Sequence, residues 1–422
     1  MPQHTRRGND DFKFDLAAPA GWSYAPGDTI IGNLMRKTPI VTPDATIVFS
    51  FEGRSEVKIT QPSRNISRNT SRNTSVYRDN WPICKSQPFT VHKGPLHLAP
   101  GSDEVLSWPF SLNIPLKPMA TGPGSNIDPR RTFLPRDTSH PAHQTLPGSF
   151  AAASKSFMSD RESLDFVEYY LTAHLRYMHG GSYQTCEAIY PISIRQSMPS
   201  VHRLGVPVTV TSQRLISSQR LLPGMENAGL SFKQHAQRFF GSSKVPQFSC
   251  TFRLTVPVSI QLDDPTPLQV QLEIMPNLER SSDAIKDTAQ NIAVLRLQVV
   301  LRSQTADRAL SSAFGIEHSN SFDQTDRRDF PFSPPLVITT GKKSEPLHLG
   351  NQLQLILTSH GLQCGSQRTR QTPGPHPSFI YPDIITHNIR HTHTMDWRID
   401  VKIAGETETE RFSTRVHIIG PA

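Results

Sequence analysis

Apolar and polar residues alternate along much of the chain. Residues 252–262 place an apolar side chain at every second position. Because successive side chains of a β-strand point to opposite faces, this period of two predicts half-buried strands. Pro257 cannot donate a hydrogen bond to a neighbouring strand, so we expect it at a sheet edge or a bulge. The same alternation recurs in residues 268–274, 295–301, 353–357 and 397–403.

The first half of the chain shows the same period at residues 47–51 and 167–177. Apolar residues between 164 and 178 also fit helical spacings of three and four, but the aromatic content favours a strand. We predict a helix only at residues 230–240. Many strands with almost no helix predict an all-β protein built from β-sandwiches.

The chain has 422 residues, a length that predicts two domains, with three as the alternative. Three polar segments are long for loops, and we expect each to be a loose insertion. The stretch between the two strand-rich halves is the predicted interdomain connection. The predicted domains are residues 10–195 and 247–420, the connection is 196–246, and the loose insertions are 61–80, 117–162 and 303–335.

Composition adds two constraints. Proline accounts for 36 residues, which is high and suits an all-β protein with many turns. The formal net charge is +8, from 44 basic and 36 acidic residues, and this favours acidic partners such as phosphorylated tails or an anionic membrane surface. The charges are spread along the chain, so a solvated surface is the alternative reading. Arginines without interleaved aromatic residues argue against nucleic-acid binding.

The cysteines and the apolar runs bear on location. Cys84, Cys186, Cys250 and Cys364 are isolated and form no CxxC pair, which disfavours a disulfide framework or zinc site and fits a reducing cytosol. The N-terminal residues have no apolar core of a signal peptide. No run approaches the roughly 20 apolar residues of a membrane span. We therefore predict a cytoplasmic protein.

Five short sequence segments, and the order in which they follow one another along the chain, bear on the fold. The first, Tyr24 to Gly32 (YAPGDTIIG), contains a tight turn that needs a positive φ at Gly27, and Gly32 marks a close backbone approach or a bulge. The others are residues 108–115 (WPFSLNIP), residues 146–150 (LPGSF) followed by 167–175 (VEYYLTAHL), residues 221–224 (LLPG) with the strand that begins near 248, and residues 377–397.

Taken together, these segments resemble the arrestin family, and most closely its fungal arrestin-related members. The resemblance covers nearly the whole chain and implies two immunoglobulin-like β-sandwich domains, the arrestin N- and C-domains. This chain differs from the family at Trp108, where the family usually has phenylalanine. The positions that match family structural motifs are Gly27, Asp28, Gly32, Trp108, Phe110 and Pro115.

The resemblance implies a function by binding. Fungal arrestin-related proteins are cytoplasmic adaptors that recognise tails of plasma-membrane transporters or receptors and recruit a HECT-type ubiquitin ligase, so that the cargo is endocytosed. Such proteins lie at the plasma membrane or endosomes. Ligase recruitment uses PPxY peptides that dock into WW domains. The sequence does not indicate which Lys or Arg side chains would contact the cargo.

This chain departs from the family at the ligase-docking motif. The pair Pro334-Pro335 is followed by Leu336 and Val337, and no PPxY occurs. We therefore expect ligase recruitment, if it takes place, to be indirect. The alternative is an arrestin-fold scaffold or signalling interaction protein that recruits no ubiquitin ligase.

Catalytic patterns are absent from the sequence. There is no HExxH, no GxSxG and no GxxxxGK[ST]. Gly122-Pro-Gly124 is a lone GxG with no helix predicted after it, which excludes a dinucleotide fingerprint. We predict that the protein is not an enzyme and needs no cofactor.

Three histidines are the strongest metal candidates. His387, His391 and His393 have even spacings, so on one continuous strand they would share a face on which imidazoles could bind zinc or copper. Asp396 would fall on the opposite face. The alternatives are an ordinary exposed strand face, or histidines that make binding pH-sensitive because their usual pKa is near 6.5.

A four-residue repeat, SRNI-SRNT-SRNT, suggests regulation. Ser67, Ser71 and Ser75 each follow an arginine by three residues, as basophilic kinases prefer. A phosphate would add about −1.5 to −2 charges at each site. The alternative is a low-complexity loop without a regulatory role. The repeat also contains N-x-S sequons, but we expect no glycosylation without a signal peptide.

Overall fold

The structure, a computed structural model, describes most of the chain. The described residues are 11–62, 74–119, 132–155, 161–196, 205–225, 245–310, 317–340, 345–365 and 379–421. Within these ranges the chain is mainly β, so the all-β prediction is confirmed. No described helix is long and apolar enough to cross a membrane.

The first half forms two sheets. One has the strand order β1-β3-β7, and the other β2-β10-β9-β4-β5, with β6 beside β4 and β8 beside β9. The described elements of this half are β1 (Phe12–Leu16), β2 (Ser23–Tyr24), β3 (Thr29–Arg36), β4 (Ile40–Pro62), β5 (Thr74–Lys85), β6 (Phe89–Leu98), β7 (Leu106–Asn113), helix α1 (Pro141–Gln144), β8 (Phe150–Lys155), β9 (Glu162–His179) and β10 (Ser182–Ile194).

The second half also forms two large sheets, with strand orders β11-β12-β14-β17 and β13-β22-β21-β15-β16, and β20 beside β21. Strands β18 and β19 pair only with each other in the described residues. The elements are β11 (Val208–Ser217), β12 (Gln247–Val256), β13 (Ser259–Gln261), β14 (Gln271–Pro276), β15 (Asn291–Leu310), β16 (Glu317–Thr339), β17 (Leu347–His348), helix α2 (Leu349–Leu353), β18 (Leu355–Thr358), β19 (Gly361–Cys364), β20 (Ile384–Ile385), β21 (Ile389–Ile403) and β22 (Glu406–Ile419).

Each half has its own hydrophobic core. The first core contains Phe14, Phe49 and Phe51, and the second contains Phe252 and Trp397. The second half nevertheless contributes Ala309, Ile384 and Ile389 to the first core. The two halves are therefore in direct contact through β15 and the segment that leads into β21.

Strand β9 resolves the ambiguity between helix and strand in favour of the strand. It pairs with β4, β8 and β10, so it lies inside its sheet. Leu171 and Tyr169 belong to the first core, and the residues of the other face, such as Glu168 and Thr172, are buried as well. Burial of both faces explains why apolar and aromatic residues occur here at almost every position.

The predicted loose insertion at 303–335 is wrong. Strands β15 and β16 pair in antiparallel register from Asn291–Thr339 to Leu310–Glu317, with a bulge between Val294 and Arg296. The side chains of this segment can be polar and still lie in a strand, because the hydrogen bonds that pair the two strands are made by the backbone and not by the side chains. Part of its inner face also meets a polar layer instead of an apolar core, as described below.

Three other predicted segments need correction. Strand β4 continues to Pro62 and β5 begins at Thr74, so both ends of the predicted insertion 61–80 are strand. Strand β8 and helix α1 lie within the predicted insertion 117–162. Strand β11, inside the predicted connection 196–246, pairs with β12 and belongs to the second half. The helix predicted at 230–240 lies outside the described residues.

Pro257 lies neither at a bulge nor on an edge strand. Strand β12 ends at Val256, and β13 begins at Ser259 in the other sheet, where it pairs with β22. Proline suits the point where the chain passes from the sheet of β12 to the sheet of β13, because it has no backbone N–H with which to continue the hydrogen bonding of β12. Two other apolar residues that the alternation predicts on the face of a regular strand lie elsewhere. Leu295 is at the bulge of β15, and Leu353 is the last residue of helix α2.

Candidate functional site

The turn at residues 25–28 has the predicted geometry. Gly27 has φ +90°, a conformation that favours glycine. Asp28 accepts a hydrogen bond at Oδ2 from the backbone N–H of Ala25 at 2.8 Å, and its own N–H donates to the Ala25 carbonyl at 3.1 Å. A Cβ at Gly32 would lie 2.5 Å from the carbonyl oxygen of Asp15, which is the expected close approach. These motif residues shape backbone and offer no chemistry of their own.

The second family motif also packs. Phe110 on β7 is buried, with its ring centroid 5.7 Å from that of Phe14. Trp108 is partly buried beside His92, with ring centroids 5.9 Å apart. Pro115 follows the end of β7 and is partly exposed. These positions stabilise the first sheet pair and form no polar cluster.

His391 and His393 share a strand face, as their spacing predicts, but this face points into the protein. They are 2% and 1% exposed, and their ring centroids are 4.7 Å apart. The Nδ1 atoms lie 2.8 Å from the Thr305 hydroxyl and 3.0 Å from the Ser303 hydroxyl, respectively. Burial lowers the pKa of His391 to about 4 and that of His393 to about 3. Both rings are therefore neutral at pH 7.

His387 is separate from this pair. It precedes β21 and stacks on Trp81 with a centroid distance of 4.3 Å, and its Nδ1 lies 3.0 Å from the Thr132 hydroxyl. Burial lowers its pKa to about 4. The even spacing does not place it on the same face because β21 begins only at Ile389. No set of three metal-binding side chains is close enough to hold an ion within the described ranges.

The structure describes one of the three serines of the repeat. Ser67 and Ser71 lie outside the described residues. Ser75 is in β5, partly buried, opposite Gln61 of β4. Its partial burial in a paired strand restricts access of a kinase to Ser75, and phosphorylation of the three serines stays a prediction.

A buried polar layer, which we call the polar junction, joins the two halves. The Ser55 hydroxyl donates to Oδ1 of Asn388 at 2.7 Å. The Ser163 hydroxyl lies 2.9 Å from Asp165 and 2.5 Å from Asp307. Each of these hydrogen bonds except that to Asp165 links β4 or β9 of the first half to β15 or the start of β21. The junction therefore ties the halves together by polar contacts that must be satisfied when buried.

The two carboxyl groups of the polar junction share one site. Asp165 and Asp307 are both fully buried. Burial raises the pKa of Asp165 well above its usual range, and the charge of Asp307 raises it further. Two carboxylates this close cannot both ionise cheaply, so Asp165 is held as the neutral acid. Through the Ser163 hydroxyl, the pair links β9 of the first half to β15 of the second half.

The candidate binding surface lies on the second half, on the outer face of strands β15, β21 and β22. Odd-numbered residues of β21, such as Trp397 and Ile399, point into the second core, so even-numbered residues point outward. We call the outward charged set the arginine face. It contains six cations and two carboxylates, an excess of four positive charges: Arg296, Arg302, Arg398, Lys402, Arg411 and Arg415, with Asp396 and Asp400.

The two carboxylates of the arginine face are already engaged. Asp396 accepts from Arg302 at 2.5 Å and from the Ser413 hydroxyl at 2.7 Å. Asp400 accepts from two further arginines of the set, at 2.5 and 3.1 Å. Arg411 and Arg415 are exposed and have no carboxylate partner among the residues that the structure describes. They remain available to an incoming anion.

The register concentrates this charge. Arg411 lies directly opposite Arg398, and Arg415 lies opposite Thr394, whose other neighbour is Arg302. Like charges opposite each other on a sheet repel, so an anion placed between them lowers the free energy of the surface. Guanidinium groups match carboxylate and phosphate oxygens in two-pronged geometry. The arrangement suits binding of an acidic segment and contains no acid–base pair for catalysis.

The arginine face is not predicted from the sequence. Its local signal is the alternation of residues 411–415, in which Arg411, Ser413 and Arg415 separate two buried residues. That pattern shows that the arginines point outward. It does not show that β22 lies beside β21 or that β21 lies beside β15. The charge excess arises because these three strands are adjacent and bring their cations together.

No protein-family model matches the chain, and no curated protein is significantly similar to it.

Proposed function

We propose that the protein is a binding adaptor whose arginine face holds an acidic or phosphorylated segment of a partner. The observation that carries the proposal is the pair Arg411 and Arg415, which are exposed and have no acidic partner within the described ranges. They lie beside three arginines that share two carboxylates. A partner that supplies carboxylates or phosphates completes the set.

The resemblance to arrestin-related proteins suggests which partners to test. They are cytoplasmic tails of plasma-membrane transporters or receptors, and the proposed outcome is their ubiquitination and endocytosis at the plasma membrane or endosomes. An all-β fold with a core in each half supports this proposal. Because Pro334-Pro335 lacks the tyrosine of PPxY, the HECT-type ligase is proposed to act through an intermediary.

The direct test is peptide binding to the full chain. A fluorescein-labelled tail peptide rich in Asp, Glu and phosphoserine is titrated by fluorescence anisotropy, beside the same peptide with Asn and Gln in place of the acids. Charge reversal of Arg411 and Arg415 to Glu is expected to weaken binding by about tenfold or more, since each lost contact contributes up to about 1 kcal/mol and each reversal adds repulsion. Higher salt is expected to weaken the wild-type complex.

Two other exposed arginines provide the matched control. Arg78 on β5 and Arg280 after β14 lie away from the arginine face, and their reversal to Glu changes net charge equally. Equal loss of binding in both variants would refute a specific site and leave only a general charge effect. Binding to phosphatidylserine vesicles without binding to the peptide would instead identify an anionic membrane surface as the partner.

The alternative is a scaffold of the same fold with no link to ubiquitination. Proximity labelling with the tagged protein in its own cells separates the two. Transporters labelled together with a WW-domain ligase support the adaptor, and membrane cargo labelled without any ligase supports the scaffold.

A further inference from the structure

A groove of about 1010 Å³ lies where the two halves meet, on different residues from the arginine face. The first half contributes β2, the end of β10 and residues 148–151, and the second contributes residues 379–382. Each half places an exposed aromatic ring on the groove: Trp22 is 55% exposed and Phe379 is 46% exposed. Tyr190 and Tyr381 add two more rings. Large aromatic side chains left in water mark a surface made for contact.

Two polar groups of the groove have no hydrogen-bond partner in the part of the chain that the structure describes. Tyr24 is 5% exposed, and its hydroxyl has no partner among the described residues. The Oε1 atom of Gln196 is also buried without a partner, while its Nε2 donates to the Asp383 carbonyl at 3.2 Å. Buried polar groups are normally paired, so each such exception needs an explanation. A ligand with an acceptor for the hydroxyl and an N–H donor for the amide oxygen would supply it.

The ionisable groups of the groove are balanced. Glu168 forms an ion pair with Arg54 at 2.7 Å. The exposed carboxylate of Asp263 and the exposed guanidinium of Arg195 carry opposite charges. The described lining residues of the groove therefore carry no charge excess of either sign, in contrast to the arginine face. It does not select the acidic segment proposed above.

We propose that this groove docks an extended, uncharged and apolar peptide segment of a partner protein. A peptide main chain carries both the carbonyl acceptor and the N–H donor that Tyr24 and Gln196 require. Its apolar side chains, proline included, would lie against Trp22, Phe379 and Tyr381, as in other aromatic-lined peptide grooves. The volume lies at the upper end of the roughly 300–1,000 Å³ of small-molecule sites, which favours several residues of chain over a compact metabolite. The proposal does not depend on the function of the arginine face.

Selection from a library of random 12-residue peptides displayed on phage, with the full chain as target, tests the proposal. The expected peptides are uncharged and apolar. The double variant Trp22→Ala with Phe379→Ala is expected to bind the synthesised peptides about tenfold or more weakly, as loss of buried aromatic anchors does. Met275→Ala with Leu215→Ala removes two exposed apolar side chains of the β11-β12-β14 sheet and serves as the matched control.

Tyr24→Phe separates a binding role from a structural one. Removing a hydroxyl without a partner is expected to leave the thermal midpoint of the free protein unchanged or slightly raised. Peptide affinity is expected to fall by about threefold to tenfold, because one hydrogen bond to the ligand is lost. A fall in stability with unchanged affinity would overturn the role of Tyr24 in docking.

Two further results would overturn the proposal. One is a set of selected peptides whose affinity does not respond to the double variant. The other is binding of oleate that depends on Trp22 and Phe379 while no peptide binds, which would make the groove a lipid site. Arg411 and Arg415 variants should not change binding here, so failure of this proposal and failure of the proposed function are distinguishable.

Discussion

Acid should weaken the contact between the two halves through His391 and His393. Both rings are buried on the inner face of β21, where Tyr381 of the second half and Phe150 of the first half lie next to His391. Each is neutral when folded, with a pKa of about 4 and about 3. In the unfolded chain both return to the usual value near 6.5. The folded protein therefore binds fewer protons than the unfolded chain in the window between these values.

The sign and the magnitude follow from linkage. A lowered histidine pKa means that stability is complete above pH 6.5 and is lost as pH falls toward the folded value. At pH 5, about 1.5 units below the unfolded value, each ring costs about 2 kcal/mol, at 1.36 kcal/mol per unit. Asp165 acts in the opposite direction, because its raised pKa adds stability as pH falls. Wild type and variant must therefore be compared at each pH.

The variant is His391→Asn. Its amide can still hydrogen-bond the Thr305 hydroxyl, but it cannot take up a proton. Urea unfolding is measured between pH 7.5 and pH 5, and the loss of unfolding free energy over this range is expected to be about 2 kcal/mol smaller in the variant than in wild type. The smaller side chain is expected to lower absolute stability at every pH, and this constant offset cancels when the pH dependence of the two proteins is compared.

His97→Asn is the control for this prediction. His97 is exposed on β6, so its replacement should leave the pH dependence unchanged. If His391→Asn keeps the full wild-type loss between pH 7.5 and pH 5, the ring is not held neutral by burial and the reasoning is wrong.

Three further predictions concern stability. Asp165→Asn removes one carboxyl of the buried pair. Because the raised pKa of Asp165 makes wild-type stability fall as pH rises, the thermal midpoint of the variant should fall less between pH 5 and pH 8 than that of wild type. Arg214→Ala should cost about 2 kcal/mol in urea unfolding because it leaves the fully buried Glu410 without its cation, whereas Arg253→Ala in an exposed pair should cost less than about 1 kcal/mol. Gly53→Ala should cost about 1–3 kcal/mol by the same measurement, since a Cβ there would overlap the ring of Tyr169, and an unchanged midpoint would show that the ring can move aside.

Local patterns in the sequence determined the strands and the turns. The alternation at residues 397–403 and 252–256 predicted buried faces that the structure confirms, because the side-chain period of a strand depends on its own backbone. Gly27 and Gly32 were interpretable for the same reason: a positive φ and a close backbone approach restrict the residue type wherever they occur. The all-β class followed from the sum of such local signals.

Only the tertiary structure shows which strands lie next to each other. The hairpin of β15 and β16 has no apolar alternation through its polar part, since ladder hydrogen bonds come from the backbone and its inner face meets the polar junction. Spacing placed His391 and His393 on one face but could not show that this face is covered by the other half. The arginine face and the groove each combine residues from separate strands, so their charge and shape exist only after the strands have paired and the two halves have packed together.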